Sequence, residues 1–277
     1  MRSASLEIEL KTPEQLVLMR AAGLVVARAL ELMRAAVVPG VSTADLDAIA
    51  EQCIRSAGAV PSFKGYHGYP ASICASVNEQ IVHAIPSPRQ VLAEGDLISL
   101  DCGAVLDGWH GDAAITVGVG EIKPELARMV AVVEDAMWAG ITAAGRGLRS
   151  GQGRLTDISH AIEVATSRAG RYGIVRGYGG HGIGTAMHQD PHINNYGRPG
   201  KGPRLVPGMA LAIEPMLTFG SPATAELADG WTVVTRDRSV AVHVEHTVAF
   251  FPDGIWVTTA VDGGRGTVPA ELLTARA

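Results

Sequence analysis

The sequence predicts an α+β fold built around antiparallel sheet, and the order of its elements and one turn motif support this class. The predicted elements follow the order helices, strands, helices, strands, which differs from the strict alternation of βαβ units. Of the 277 residues, 47% are hydrophobic and 18% are charged, which suffices for a sizeable core. The pair Asp107-Gly108 between two apolar runs predicts a tight two-residue turn, and such turns join antiparallel strands.

Helices are predicted over four segments, 13–36, 43–58, 123–144 and 155–169. The first has a clear start, because Thr12 can cap it, Pro13 suits its first position and Gln15 completes a capping box. Strand-like runs cover 71–77, 97–105, 109–119, 210–219, 231–235 and 240–250. The Gly/Arg-rich stretch 146–153 predicts a loop. The parts 1–122 and 123–262 have a similar element order without a clean sequence repeat.

Composition and charge argue against several classes of function. The net charge is -5 and no dense Lys/Arg cluster is present, so no nucleic-acid or membrane partner is predicted. The longest apolar stretch, 21–38, contains three charged residues and is predicted to be a helix of a globular domain. Three cysteines without a CxxC pair, and a start without an apolar signal region, fit a cytoplasmic protein.

Counting back from the hairpin turn places two carboxylates on one face of the strand pair. Leu106 pairs with Trp109 across the turn, so Asp112 lies opposite Gly103. Asp101 is two residues from Gly103 and points to the same face as Asp112, about 7–8 Å away at the backbone. We expect Gly103 to leave the space between them empty. The two carboxylates can then converge on shared cations.

This acidic pair has two interpretations, a solvated strand face or a buried functional site. The segments 97–100 and 113–115 are apolar on both faces, which indicates burial. Buried, unpaired carboxylates are very costly, and the hairpin contains no Lys or Arg. The carboxylates must therefore be protonated, paired elsewhere or bound to metal.

Three further segments supply side chains of the metal-ligand type. Glu214 ends an apolar run, and Glu245 lies within another, with His243 on its face. His181 lies in the Gly-rich turn 179–184, where the backbone can approach a ligand closely. Each alone is more often structural than functional. Together with the hairpin pair they carry a charge of about −4, which suits two divalent cations and predicts a dinuclear hydrolase.

Other histidines are candidates for proton transfer or oxyanion stabilisation. His83 lies within 78–86, and His188 follows His181 along the same segment. His67 is also considered, although it and His192 are expected to be structural or exposed.

Seven motifs together resemble one known family. They are GYHGYP at 65–70, NEQIVHAIP at 78–86, LDCGAVLDGWHGD at 100–112, GGHGIGTAMH at 179–188, PGMALAIEPM at 207–216, DGWTVVTRDRS at 229–239 and VEHT at 244–247. In order and spacing they are similar to those of type I bacterial methionine aminopeptidases, and the resemblance covers residues 12–260. It implies the pita-bread fold, an antiparallel sheet with helices on its outer side and two related halves. We expect an N-terminal segment over 1–11, a single catalytic domain over 12–262 and a flexible tail over 263–277.

The resemblance implies a metal-binding role for five residues. Asp101 is similar to the chelating ligand of a first metal, and Asp112 and Glu245 are similar to bridging ligands. His181 and Glu214 match ligands of a second metal. Glu214 also matches the proton acceptor for the attacking water.

The resemblance also implies a substrate site. His188 would stabilise the scissile carbonyl, and His83 would contact the substrate's backbone nitrogen. The methionine pocket maps onto Phe63, Tyr66, Tyr69, Cys74, Met187 and Trp231. Departures from the family pattern are Phe63 where relatives carry a small side chain, Met187 where Phe is common, Ala84 where Gly is usual, and a loop at 145–153 that looks longer than usual. They put the shape of the pocket in question, and none of them touches a metal ligand.

The implied cofactors are two divalent ions, of Co, Mn, Fe or Zn, and a monovalent cation held by backbone carbonyls near Asn78. The implied substrates are N-terminal methionyl peptides and nascent chains at the ribosome, cleaved when the second residue is small. The family further implies a monomer in the cytoplasm.

Three alternatives remain open at this point. The first is a proline-directed peptidase of the same fold, which usually carries an extra N-terminal domain for which this chain has little room. The second is a binding protein that has lost its metal ligands, and the intact set of five argues against it. The third is a metal-bound regulatory or structural module.

Overall fold

A computed structural model describes residues 7–277 of the chain. Four helices were found in this span: α1 (Pro13–Ala36), α2 (Thr43–Ser56), α3 (Pro124–Ser150) and α4 (Leu155–Ala169). The strands of the same span are β1 (Val60–Pro61), β2 (Ile73–Val77), β3 (Gln80–Val82), β4 (Leu97–Leu106), β5 (Trp109–Gly118), β6 (Gly173–Ile174), β7 (Gly180–Gly182), β8 (Gln189–Ile193), β9 (Ala210–Ile213), β10 (Met216–Thr218), β11 (Thr224–Glu226), β12 (Val233–Thr235), β13 (Ala241–His243), β14 (Glu245–Phe251) and β15 (Gly254–Val257). Short 3₁₀ turns lie at Tyr66–Gly68 and Ala270–Leu272.

Antiparallel pairing organises the described strands into one large sheet and two small ones. The large sheet has the order β1-β4-β5-β14-β9-β7-β8, with β2 beside β4 and β15 beside β14. The small sheets are β13-β10-β6 and β11-β12-β3. This arrangement confirms the predicted α+β class with antiparallel sheet.

The core is divided between two halves of similar construction. In the first half, α1 and α2 pack on β2, β4 and β5 through one apolar cluster. In the second half, α3 and α4 form a larger cluster with β9, β14 and β15. Each half therefore places two helices against its part of the large sheet.

The start of α1 is confirmed, because the Thr12 hydroxyl accepts from Gln15 N and the Gln15 side chain accepts from Thr12 N. The predicted loop over 146–153 is wrong. Helix α3 continues to Ser150 and ends at Gly151, whose φ of 66° is left-handed. A Cβ on Gly147 would lie 3.0 Å from Gly153 Cα, so glycine allows a close approach that compensates for its low helix propensity.

The C-terminal segment 263–277 was expected to be loose, and this expectation is wrong. Leu272 is buried within the larger apolar cluster. Thr274 N donates to Ile255 O at 3.0 Å, and the Thr274 hydroxyl donates to Asp253 at 2.7 Å. The segment is therefore fastened to the edge strand β15. At the other terminus, residues 1–6 of the expected segment 1–11 lie outside the described residues.

Two runs predicted as single strands are interrupted side by side. The run 210–219 divides at Glu214 into β9 of the large sheet and β10 of a small sheet. The run 240–250 divides at Val244 into β13 and β14, which belong to the same two sheets. Val244 N donates to Pro215 O at 3.5 Å, so the two strand segments pass from the large sheet to the small sheet side by side. The residues beside these breaks face the place where the sheets diverge.

Candidate active site

A row of facing residues carries two carboxylates across the large sheet. Asp101 on β4 lies opposite Ala114 on β5, and Ala114 lies opposite Glu245 on β14. Asp112, two residues from Ala114, lies opposite Gly103 as predicted. Directly paired residues share a face, and so do residues two apart in a strand. Three carboxylates therefore project from one face, with a small alanine between them.

The same face continues across β9 and β7. His246 pairs with Ile213, and this register places Glu214 beside Glu245. His181 on β7 lies opposite Ala212, two residues from Glu214. The sheet register thus brings together the five residues predicted as metal ligands.

Burial makes these groups strongly interacting. Asp112, Glu214, Glu245 and His181 are each less than 9% exposed. Burial, together with neighbouring carboxylates, raises the pKa values of Asp112, Glu214 and Glu245 well above their usual range. Burial raises the pKa of Asp101 to about 6. No salt bridge found within residues 7–277 joins any of these carboxylates to Lys or Arg.

The donor set fits divalent cations. One carboxylate oxygen each of Asp101, Asp112 and Glu245 is buried without a hydrogen-bond partner in the described structure. Ligand atoms of Asp112, His181 and Glu245 lie within 4.8 Å of one another, as do those of Glu214, His243 and Glu245. Buried polar atoms without partners are costly, and cations shared between them would remove that cost.

His181 is oriented for ligation. Its Nδ1 lies 2.9 Å from Gly182 O, so this nitrogen carries the hydrogen and donates to the carbonyl. Burial lowers the pKa of His181 to about 3, which keeps the ring neutral. Its Nε2 lone pair is then directed toward the carboxylates, 3.5 Å from Glu214 Oε1.

One cavity of about 160 Å³ contains the whole predicted site. Its walls include every residue predicted to bind metal or substrate: Phe63, Tyr66, Tyr69, Cys74, His83, Asp101, Asp112, His181, Met187, His188, Glu214, Trp231 and Glu245. Val82 and His243 complete the lining. A more open groove of about 910 Å³ between α3 and α4 is larger, but no histidine or cysteine lines it.

The apolar end of the cavity is a compact cluster. Phe63, Tyr69, Cys74 and Met187 are all buried and in mutual packing, and the ring of Trp231 meets the Tyr69 ring edge-on at 5.0 Å. The space above Gly103 is not empty, contrary to expectation. A Cβ there would lie 2.8 Å from Phe63 Cε1 and 2.9 Å from Ser62 Cβ. Gly103 instead makes room for the Phe63 ring.

Two further histidines, His188 and His83, line the same cavity. His188 Nδ1 lies 2.9 Å from the Tyr66 hydroxyl, and its ring is 4.4 Å from that of His181. His83 has a left-handed φ of 60°, which residues other than glycine seldom adopt, and burial lowers its pKa to about 4. His67 and His192 are exposed and do not line the cavity, as expected.

Asn78, beside the predicted monovalent-cation site, connects three strands. Its backbone oxygen accepts from Ala241 N at 2.8 Å, and its side chain bonds Asp96 and Leu97 N. A monovalent cation at neighbouring carbonyls stays a prediction.

Sequence reasoning missed His243 as a member of the site. This residue is 2% exposed, and its Nε2 lies 3.4 Å from Glu214 Oε2. The signal was available, since His243 is two residues from Glu245 and shares its face.

The fold and the buried acid–imidazole cluster agree with a family match. The model of metallopeptidase family M24 matches residues 17–250, which is most of the chain. The chain belongs to this family and is a metal-dependent peptidase.

Within the family, the similarity is to methionine aminopeptidases. Methionine aminopeptidase 1 of Mycobacterium tuberculosis is 56% identical over 246 residues, covering 87% of this chain and 91% of the relative. Methionine aminopeptidase 1 of Bacillus subtilis is 48% identical over 251 residues, covering 91% and 98%. The crystal structure of methionine aminopeptidase from Rickettsia prowazekii matches with a TM-score of 0.87 at 37% identity, covering 92% and 100%. These relatives place the chain among the methionine aminopeptidases and confirm the predicted pita-bread fold.

None of the helices in residues 7–277 combines the length and apolarity needed to cross a membrane.

Proposed function

We propose that the protein hydrolyses the peptide bond after an N-terminal methionine with two divalent ions held by Asp101, Asp112, His181, Glu214 and Glu245. One observation carries this proposal. Carboxylates crowd one buried sheet face with unpartnered oxygens and without a Lys or Arg partner in the described chain. Such a cluster is stable in its charged form only around cations.

The proposed division of ligands follows the family resemblance, and the geometry supports one part of it. Glu245 belongs to both groups of converging ligand atoms, as a bridging carboxylate would. By the resemblance, Asp112 would be the second bridge. Asp101 would hold the first ion, and His181 and Glu214 would hold the second. Bound there, the ions would supply Lewis acidity for activating water and polarising the scissile carbonyl. Glu214 has a second carboxylate oxygen, which accepts the proton of the attacking water.

His188 donates a hydrogen bond to the carbonyl oxygen as negative charge develops on it. For Nε2 to donate, Nδ1 must be the acceptor of the Tyr66 hydroxyl hydrogen 2.9 Å away. Burial lowers the pKa of His188 and raises that of Tyr66, so both groups are neutral and this assignment is consistent. His83, which lines the same cavity, contacts the backbone nitrogen of the substrate. Tyr66 thus fixes the tautomer of His188 besides lining the pocket.

The methionine side chain occupies the apolar end of the cavity, between Phe63, Tyr66, Tyr69, Cys74, Met187 and Trp231. Aromatic walls and the small, polarisable sulfur of Cys74 suit a thioether chain. The physiological substrates are nascent chains with a small second residue, met at the ribosome in the cytoplasm. The acting form is a monomer whose catalytic domain spans 12–262.

The test compares peptides on metal-stripped protein reloaded with Co, Mn, Fe or Zn. Methionine release from a Met-Ala tripeptide should require added metal and greatly exceed both release from Met-Leu and cleavage of Ala-Pro. Faster Ala-Pro cleavage would support a proline-directed peptidase instead. Absence of release with every metal would overturn the proposed activity.

A further inference from the structure

A second buried imidazole faces the proposed metal ligands from the smaller sheet. His243 is the last residue of β13, where it pairs with Met216 of β10. Glu214 lies two residues before Met216, and Glu245 lies two residues after His243. The paired breaks in the strands therefore bring Glu214, His243 and Glu245 to one point between the sheets.

Both imidazoles lie at a distance from Glu214 that is typical of two ligands around one ion. His243 Nε2 lies 3.4 Å from Glu214 Oε2 and 4.0 Å from Glu245 Oε2. His181 Nε2 lies 3.5 Å from the other oxygen of Glu214. Nitrogen and oxygen ligands bound to a tetrahedral ion at ordinary bond lengths are about 3.4 Å apart. His243 is thus placed toward Glu214 as His181 is.

The nitrogen of His243 is unpartnered. Its Nε2 is buried and makes no hydrogen bond to any described residue, although two carboxylates lie nearby. Glu245 Oε1 is unpartnered as well. Leaving a buried nitrogen and a buried carboxylate oxygen unsatisfied is destabilising, and more so for the charged oxygen. A cation between them would satisfy both.

We infer that His243 is a sixth protein ligand, binding the ion that Glu214 and Glu245 hold. This inference rests on the two-ion function proposed above. It gives that ion two imidazoles, from His181 and His243, among carboxylate ligands. Imidazole favours Zn, Fe or Ni over Mn, which prefers oxygen ligands. The site should therefore discriminate more strongly against Mn than a site with one imidazole.

X-ray absorption of the dicobalt protein tests the inference, because outer-shell scattering counts imidazoles around the metal. The unmodified protein should bind two Co ions with two imidazoles in total. His243→Gln should retain both ions at saturation and show one imidazole, with the affinity of Co relative to Mn lowered. The exposed His192→Gln is the matched control and should change neither quantity.

Affinity alone does not decide the question, because loss of a neighbour that merely orients a ligand also weakens metal binding by about 10–100-fold. The imidazole count does decide it. An unchanged count in His243→Gln, with two ions bound, would overturn this inference and leave the two-ion proposal intact. Binding of fewer than two ions by the unmodified protein would overturn both. If His243→Gln fails to fold, His181→Gln serves, since one imidazole should remain there and none would remain if His243 does not bind.

Discussion

Phe63 and Met187 are predicted to shape the methionine pocket as a pair. Both are buried and line the same cavity, and both belong to one apolar cluster with Tyr69 and Cys74. The Phe63 ring also packs on the large sheet, because its Cε1 lies against the backbone of Gly103, which has no side chain. The ring cannot retreat toward the sheet, so any change of volume at Met187 acts on the pocket itself.

The expected magnitudes follow from this packing. Phe63→Cys removes a buried ring, and phenylalanine truncation in a core costs up to about 3–5 kcal/mol of stability. It should also weaken discrimination between methionine and norvaline by up to the roughly 10–200-fold that one methylene provides in an apolar pocket. Met187→Phe inserts a ring into a filled space, which typically costs about 1–3 kcal/mol and should lower kcat/KM. The double change returns a ring to the pocket, so that the net loss of volume is only that from methionine to cysteine, and it should recover much of the activity.

The assay is kcat/KM for methionine- and norvaline-initiated tripeptides across the four proteins, with thermal unfolding measured alongside. Phe219→Cys is the control, because Phe219 is 45% exposed and does not line the cavity, so selectivity should stay unchanged. If the two residues are coupled, kcat/KM of the double variant should be higher than the value obtained by multiplying the effects of the two single changes. Strictly multiplicative effects on kcat/KM would refute the idea that the two side chains share one space.

Three further predictions concern the polar end of the cavity. Asp112→Asn should lose most activity and bound metal, since an amide cannot offset two cations; full metal content after dialysis would contradict the bridging role. His188→Ala should lower kcat by about 10²–10³-fold while metal content stays unchanged, because it removes one hydrogen-bond donor; Tyr66→Phe should lower kcat less, and loss of metal from His188→Ala would make His188 a ligand. For the metal-free protein, burial raises the pKa of Asp101 from 3.8 to about 6, so the folded state binds more protons than the unfolded state between these values. The stability of the metal-free protein should therefore fall as pH rises through this window. Added Co should raise Tm by more at pH 7.5 than at pH 5.5. A Tm increase on adding Co that is the same at both pH values would contradict this pH dependence.

The acidic face was predictable because it depends on local rules. The Asp107-Gly108 turn sets the register of β4 and β5, and two-residue alternation then decides which side chains share a face. The start of α1 followed from the capping residues Thr12 and Gln15 in the same way. In each case the interacting residues are close in the sequence, so the pattern contains the needed information.

The failed expectations all depend on contacts distant in sequence. Gly147 is accepted within α3 because Leu205, far along the chain, packs against it in addition to Gly153. The C-terminal segment is ordered by β15, through Thr274 and Ile255. Gly103 accommodates Phe63, forty residues earlier in the chain. Glycine and polar composition favour loops on average, and such tertiary contacts reverse that preference without any local signal.

The position of His243 follows from the paired breaks, which local periodicity does not contain. Alternation alone places His243 and Glu245 on the same face of one continuous strand, about two residues apart along it. Pro215 cannot donate a ladder hydrogen bond, so its strand is free to leave the large sheet at Glu214. The neighbouring strand leaves at Val244, whose N–H bonds the Pro215 carbonyl. Because both strands change sheets together, His243 faces Glu214 and Glu245 from the smaller sheet. The paired breaks therefore also bring a second imidazole, beside that of His181, to the proposed metal site.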